Sequence, residues 1–328
     1  MKIAVVGAGF CGLATAWNLL QNGSGNKITL IDSLGIGKGA SGVAAGLLHA
    51  YAGSQAKKNI RADEGLAATL KLLEIAKQNV ESPIVINKGL IRLAVTEKQK
   101  ADFSHVASLY SDVHWLSTKE CCQRLNILQN HPGIYIDTAL VIDCEKYLEG
   151  LWNACARAGV SFEKKKIQTL VELNDYDIII VTMGAAVKSL PELNSLKVTP
   201  IKGQVLDLNW PDNIPAPILP IASQAYLIMQ PEGNKCIAGA TYERHFTSEL
   251  PELDSALHEI MPKLQAFLPA MNSGLVLGCR AGIRASAPRH QPLLAQINAK
   301  TWVLTGMGSK GLLYHALYAE ELVNAIKR

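Results

Sequence analysis

Lys2-Ile3-Ala4-Val5-Val6-Gly7-Ala8-Gly9-Phe10-Cys11-Gly12, followed by a helical stretch over 13–20 and an apolar run over 28–31 ending in Asp32, decides the fold. The β-branched run at 2–6 reads as a buried parallel strand. It runs straight into a Gly-x-Gly-x-x-Gly loop and then a helix, with an acid at the end of the next strand. This is the dinucleotide-binding βαβ unit with strand, helix and distal acid all in place. Gly7 permits the tight turn, and Gly9 keeps side-chain atoms away from a pyrophosphate. Gly12 lets helix and strand pack closely, and the helix N-terminus offers N–H groups to phosphate. Ala8, Phe10 and Cys11 complete the loop. Asp32, flanked by Ser33, is suited to accept both hydroxyls of a ribose, and its charge opposes a 2′-phosphate.

A second small-residue loop follows at once, Gly37-Lys38-Gly39-Ala40-Ser41-Gly42, and then Ala44-Ala45-Gly46. A nicotinamide enzyme has no use for a second cradle so soon after the ribose acid. A flavoprotein has, because FAD continues across the domain and needs close backbone approach there. The alternative is a plain surface loop.

The chain's 328 residues suffice for two domains with a core each. At 48% hydrophobic and 18% charged residues it is an ordinary globular composition, which excludes a disordered chain. The net charge of +4 permits an anionic partner without requiring one. Lys164-Lys165-Lys166 is the densest basic run and reads as a solvated strand edge; Lys57-Lys58 is a weaker cluster. Seven scattered cysteines with no C-x-x-C spacing indicate neither zinc nor a dithiol redox pair, and no metal site is expected. Reduced thiols, a first strand that begins at residue 2 and the lack of any membrane-length apolar run suggest a cytoplasmic protein without membrane attachment.

Further along, 62–80 reads as an amphipathic helix with Leu66, Leu70, Leu73 and Ile75 on its apolar face. Strands are expected at 84–86 and 90–95 around a turn at Asn87-Lys88-Gly89, and helices at 97–110 and 144–159. A strand reading covers 160–170, and 178–181 is a continuous buried strand ending in Thr182-Met183-Gly184-Ala185. Alternating, proline-interrupted segments over 198–239 suggest an antiparallel sheet, followed by a helix at 253–267. The end returns to the opening pattern: a strand at 301–305, the glycine loop Gly306-Met307-Gly308-Ser309-Lys310-Gly311, and a helix from 312 to 327. Nucleotide-style segments at both ends and in the middle imply domains built from separate pieces.

Taken together, VVGAGFCG with Asp32, KGASGVAAG, IIIVTMGA and TGMGSKGL resemble the D-amino-acid oxidase and glycine oxidase superfamily of FAD enzymes. Within it, VTPIKGQV at 198–205, AGATYERH at 238–245 and CRAGIRASAPRHQPLLA at 279–295 are similar to the FAD domain of the bifunctional tRNA wobble-uridine modification enzymes. Two departures stand out. No counterpart of the accompanying methyltransferase domain occurs in the sequence, and Arg289-His290 stands where an Arg-Asp pair is usual.

The resemblance implies an α/β fold (α+β overall). A Rossmann-like FAD-binding domain would comprise 1–48, 144–190 and 280–328, and a mainly antiparallel substrate domain 49–143 and 191–279. It implies non-covalent FAD, held by the two cradles (Lys38, Gly39, Ala40, Ser41, Ala45 and Gly46 in the second), Ile167, Gly184, and Gly308, Ser309, Lys310 and Gly311. Arg284 would clamp a substrate carboxylate, with Arg280 and Tyr242 as further contacts. His49 would lie near the flavin or serve as an ordinary polar residue. The implied reaction is oxidation of a C–N bond by hydride transfer to flavin N5, with imine hydrolysis and reoxidation by oxygen or another acceptor. The substrate would be a small carboxylated amine or a modified tRNA, with Lys57, Lys58 and Lys164–Lys166 as phosphate contacts in the second case. A small-molecule D-amino-acid or glycine oxidase, a dehydrogenase and a non-enzymatic FAD-binding subunit are the alternatives.

Overall fold

The computed structural model describes residues 1–327 apart from 24, 128, 232, 273 and 274, and every candidate site residue is among those described. Two sheets dominate. The first runs in the order Leu293–Gln296, Thr301–Thr305, Ile178–Val181, Lys2–Val6, Lys27–Asp32, Ser161–Lys164. Its strands are parallel apart from Leu293–Gln296 at one edge. Sheets of this kind are covered on both faces, which is why their strands read as unbroken apolar runs. Ile3, Ala4, Val5, Ile180 and Val303 are wholly buried. On one face pack the helices Phe10–Gln21, Ala62–Lys77, Cys144–Arg157 and Gly311–Ile326. On the other lie short turns that place Ile167, Leu170, Val187 and Leu190 against Ala4, Val6 and Ile179.

The opening strand sits between Lys27–Asp32 and Ile178–Val181, so the order of connection reverses at its C-terminal end. Open α/β sheets bind ligands in the crevice at such a switch point. The glycine loop stands there.

The second sheet runs in the order Val276–Ser286, Thr199–Asn209, Lys235–Gly239, Tyr226–Met229, Ile221–Ala222, Val85–Leu93, Gly133–Ile142, Leu47–Leu48, with Val113–Leu116 also beside Gly133–Ile142. Only Ile221–Ala222 beside Val85–Leu93 is parallel. The expected mainly antiparallel second sheet is present. One face of it is covered by the helix Leu253–Gln265, whose Ala256, Ile260 and Leu264 pack on Leu206 and Leu208. The expected boundary between 279 and 280 falls within Val276–Ser286, a single strand of this sheet.

Several local expectations are corrected. Leu70 is exposed and Leu66 and Ile75 are half-buried, whereas Leu73 is buried as expected, on a face of Ala62–Lys77 that it shares with Ala62, Gly65, Ala68, Thr69, Leu72 and Ala76. Small residues prevail there because the neighbouring helix passes so close that a Cβ on Gly65 would lie 2.5 Å from the Leu313 carbonyl oxygen. The two strands expected around 87–89 are one strand, Val85–Leu93, whose pairing slips at two points. Of 160–170 only Ser161–Lys164 is strand. The helix Thr118–Leu125, opened by a reciprocal Ser117–Glu120 cap, was not anticipated.

Behind the glycine loop, Phe10, Tyr147 and His315 form a closed cluster. The His315 Nε2 and the Tyr147 hydroxyl lie 2.7 Å apart, and Nδ1 is 3.1 Å from the carbonyl oxygens of Gly311 and Leu312. Carbonyls can only accept, so Nδ1 carries the proton and Nε2 accepts from the tyrosine. Burial lowers the His315 pKa to about 4. The unfolded chain therefore binds the extra proton more readily between about pH 6.5 and 4, and stability falls as pH falls through that window. From this group alone the loss by pH 5 should be on the order of 2 kcal/mol. Denaturant midpoints at pH 7 and pH 5 should show it, with a shallower pH slope in His315→Gln. Equal slopes in the two proteins would show that His315 is not responsible.

Candidate functional site

The crevice at the switch point opens into a cavity of about 240 Å³ between the two sheets. From the first sheet's side it is lined by Gly9, Phe10 and Cys11, by Ala40, Ser41, Ala45 and Gly46, by Gly184, and by Gly308, Ser309 and Gly311. All of these were expected from sequence. The two cradles are joined directly: the Phe10 N–H donates to Ser41 Oγ at 3.1 Å and the Gly37 N–H to the Ala8 carbonyl at 2.9 Å. A Cβ on Gly9 would lie 2.8 Å from Ser41 Oγ, so the bare backbone forms the floor. Gly12 lies behind it, and a Cβ there would overlap the Gly7 carbonyl oxygen at 1.8 Å. Thr182, at the head of the expected small-residue turn over 182–185 and itself part of the lining, donates its hydroxyl to the carbonyls of Val6 and Gly7 and fixes the glycine turn.

Neither helix that points its N-terminus at this cavity, Phe10–Gln21 or Gly311–Ile326, has a side-chain cap, and neither has an acid in its first turn. Their amide ends therefore present partial positive charge to whatever occupies the cavity. The Cys11 thiol is pushed up to about 12 by burial and stays neutral there.

Ala8, Asp32, Ser33, Lys38, Gly39, Ile167 and Lys310 do not line the cavity. Asp32 accepts backbone N–H groups from Ala8 at 2.9 Å, Leu34 at 2.8 Å and Gly35 at 3.0 Å, so its carboxylate first holds both loops in place. Ser33, Lys38 and Gly39 are exposed beside it, whereas the Ile167 side chain is core. Lys310 donates to the His290 carbonyl at 3.0 Å.

The second sheet closes the cavity with Gly203, Val205, Tyr226, Gly282, Ile283 and Arg284. Arg284 lies across the neighbouring strand: a Cβ on Gly203 would meet its Nη2 at 2.1 Å, and Nη1 donates to the Thr241 carbonyl at 3.2 Å. Among the described residues no carboxylate pairs with Arg284. A guanidinium left with free donors on a cavity wall is suited to fork a carboxylate.

The other two expected contacts are not brought into the cavity. Arg280 lies on the same face of the same strand, but its fork is filled by Asp207, at 2.9 and 2.7 Å. Tyr242 is 42% exposed and stacks beside Arg244. The tyrosine that does line the cavity is Tyr226. Burial raises its phenol to about 12, against the opposing pull of Arg284 and Arg280, so it stays protonated and able to donate. Its position facing Gly239 across the strand pair was not readable without the sheet register. His49 lies outside the lining, and burial, then the charge of Arg92, lowers its pKa to about 3. Of the basic clusters, Lys58 is paired with Asp63 and Lys165 with Glu172. Lys164 pairs in register with Asp32, on the far side of the first sheet from Thr301–Thr305. Among the described residues no group of His, Cys, Asp and Glu is placed to hold a metal, and no helix is long and apolar enough to cross a membrane.

Comparison with known proteins agrees with this geometry. The family described as FAD dependent oxidoreductase (DAO) matches residues 2–325. The tRNA 5-methylaminomethyl-2-thiouridine biosynthesis bifunctional protein MnmC of Marinobacter nauticus is 26% identical over 99% of this chain, which spans 55% of that relative. The chain thus covers about half the length of the first curated relatives it matches. Glycine oxidase from Geobacillus kaustophilus superposes with a TM-score of 0.84 at 21% identity, covering 99% of this chain and 95% of that one. Iminodiacetate oxidase from Chelativorans sp. BNC1 gives 0.80 at 18%, again with 99% and 95% coverage. At these identities the likeness to the two solved structures is one of fold.

The bare floor at Gly9 makes a direct prediction. Gly9→Leu should fold, by circular dichroism, yet purify without the visible flavin absorbance and acid-releasable FAD of the wild type. A fully yellow Gly9→Leu would show that the cradle does not hold the cofactor.

Proposed function

We propose, from the premise that the chain belongs to the FAD dependent oxidoreductase family matching residues 2–325, that it oxidises the C–N bond of an amine bearing a carboxymethyl group. The observation that carries this reading is the unpaired Arg284 guanidinium lying across Gly203, with the protonated Tyr226 beside it, on the cavity wall opposite the glycine cradles. Those cradles fit FAD: small residues leave the backbone bare, and two uncapped helix ends face the cavity.

Arg284 fixes the carboxylate and Tyr226 donates to it, which sets the orientation of the adjacent carbon. Val43, Leu47, Val205, Ile283, Leu304 and Met307 give the cavity an apolar lining that limits water at the reacting bond. Bound FAD supplies the acceptor for the hydride and its electron pair. The substrate nitrogen's lone pair forms the C=N bond as that hydride leaves, and water then splits the imine into an amine and an α-oxo acid. No side chain has to remove a carbon-bound proton, in keeping with a lining of neutral groups around a single guanidinium. Cys279 turns its thiol toward Gln204 at 3.5 Å, on the strand face away from the cavity, in keeping with non-covalent FAD. All seven cysteines are free thiols, which favours the cytoplasm as the proposed compartment.

A second reading, in which the amine is carried on tRNA, is favoured by a group of cations that begins at Lys310, next to Ser309, an exposed residue of the lining. Lys57, Arg289 and Lys310 have no ion-pair partner among the described residues. Lys310 donates to the carbonyl of His290, the neighbour of Arg289, and its ammonium lies 5.5 Å from the Tyr314 ring, whose hydroxyl donates at 2.7 Å to the carbonyl of Ile60 in the segment that follows Lys57.

Arg284→Met should raise KM for carboxylated amines about thirty- to a thousand-fold with FAD content unchanged, the usual cost of removing one partner of a charge-assisted contact. Arg280→Met should do less, because its charge is already met by Asp207. Wild-type kinetics in Arg284→Met would remove Arg284 from the site.

Anaerobic flavin reduction distinguishes the substrates. Sarcosine and other carboxymethylated secondary amines should reduce the flavin faster than D-alanine, and the reverse order would refute the proposed chemistry. If tRNA carries the amine, carboxymethylaminomethyl-uridine tRNA should be converted to the aminomethyl nucleoside plus glyoxylate. Its binding should then weaken steeply with salt. Unchanged tRNA alongside rapid turnover of the free amines would restrict the enzyme to small molecules.

A further inference from the structure

The strand Thr199–Asn209 has two faces with different tasks. Gly203 and Val205 line the cavity. Lys202 and Gln204 point the other way, toward the helix Leu253–Gln265, and both are completely buried. A buried amide survives folding only if its donors and acceptors are met, and the partners of Gln204 form a connected set. Its N–H donates to Thr241 Oγ1 at 2.9 Å, and its carbonyl accepts the Thr241 N–H at 3.1 Å. Its side-chain Nε2 donates to Glu243 Oε1 at 2.9 Å, and the Thr241 hydroxyl donates to the same oxygen at 2.6 Å. Its Oε1 accepts from the Glu252 N–H at 2.7 Å. Lys202 completes the set through reciprocal backbone bonds with Glu243 and an ion pair with Glu252.

The segment fastened in this way is the one whose Thr241 carbonyl takes Arg284 Nη1. Arg284 itself comes from the strand on the opposite side of Thr199–Asn209 and reaches across Gly203 to find that carbonyl. We infer that Gln204 is a positioning residue for the carboxylate clamp: from the back of the strand it holds residues 241–243 so that the Thr241 carbonyl faces Arg284 while the Glu243 carboxylate is kept on the other face. Both parts matter. A displaced carbonyl leaves the guanidinium without its anchor, and a released Glu243 offers it an internal anion in place of the substrate. Gln204 touches neither the cavity nor any group that reacts.

The inference rests on Arg284 being the clamp, and the test separates the two. Acetate, a carboxylate that cannot be oxidised at a C–N bond, is titrated against the FAD-loaded enzyme by perturbation of flavin absorbance. Gln204→Leu should raise the acetate Kd and the KM for sarcosine about tenfold, with kcat within about twofold and FAD content unchanged, the scale of one lost hydrogen bond in a network. Thr241→Ser, which keeps the hydroxyl, should behave as wild type, and Thr241→Val should match Gln204→Leu. That pair decides the matter even if Gln204→Leu does not fold. Acetate affinity within twofold of wild type in Thr241→Val, or an equal loss in Thr241→Ser, would overturn the inference. Unchanged acetate affinity in Arg284→Met would instead overturn the clamp itself.

Discussion

The contact on which the rest of the site depends is the one between Gly12 and the Gly7 carbonyl oxygen. The first helix lies so close to the turn that a single Cβ at residue 12 would come within 1.8 Å of that oxygen. Thr182 reaches in from the next strand and donates its hydroxyl to the carbonyls of Val6 and Gly7, so that the opening turn and first helix are fixed at one point to a strand distant in sequence. With that point set, Asp32 can accept the Ala8 and Leu34 N–H groups, Ser41 can accept the Phe10 N–H, and the two cradles become one floor.

The opposing wall is built on the same economy of side chains. Gly203 is to Arg284 what Gly9 is to Ser41, a position where the absent Cβ is occupied by another residue's polar group. The guanidinium can lie flat across a strand only because that strand carries nothing there. A charge left unpaired on a cavity wall is costly, and Arg284 is kept from internal neutralisation by the arrangement behind the strand. Arg280, on the same face, shows the other outcome: with Asp207 within reach its charge is satisfied and it is withdrawn from the site.

Tyr226 and Tyr242 illustrate where sequence patterns stop being informative. Tyr242 follows a small-residue turn in a segment resembling known flavoenzymes, and that proximity in sequence drew it into the expected site. It is exposed beside Arg244, whereas Tyr226 reaches the cavity through antiparallel pairing with Gly239, thirteen residues later. Similarly, Leu70 satisfies a helical apolar period yet is exposed, because the neighbouring helix approaches the small-residue face of Ala62–Lys77.

The sequence by itself determined the parallel sheet, the glycine cradles and the FAD cofactor, and its resemblance to a known family made Arg284 a candidate. The sheet and the cradles are local matters: a buried strand needs a continuous apolar run, and a phosphate cradle needs glycines closely spaced along the loop. Only the tertiary structure decided which arginine stays free, which tyrosine faces the cavity, and that Gly203 and Thr241 support the clamp. Those outcomes depend on which strands become neighbours and in what register. A shift of one residue exchanges the two faces of a strand, and no local property of Gln204 or Gly203 says which of them will look into the cavity.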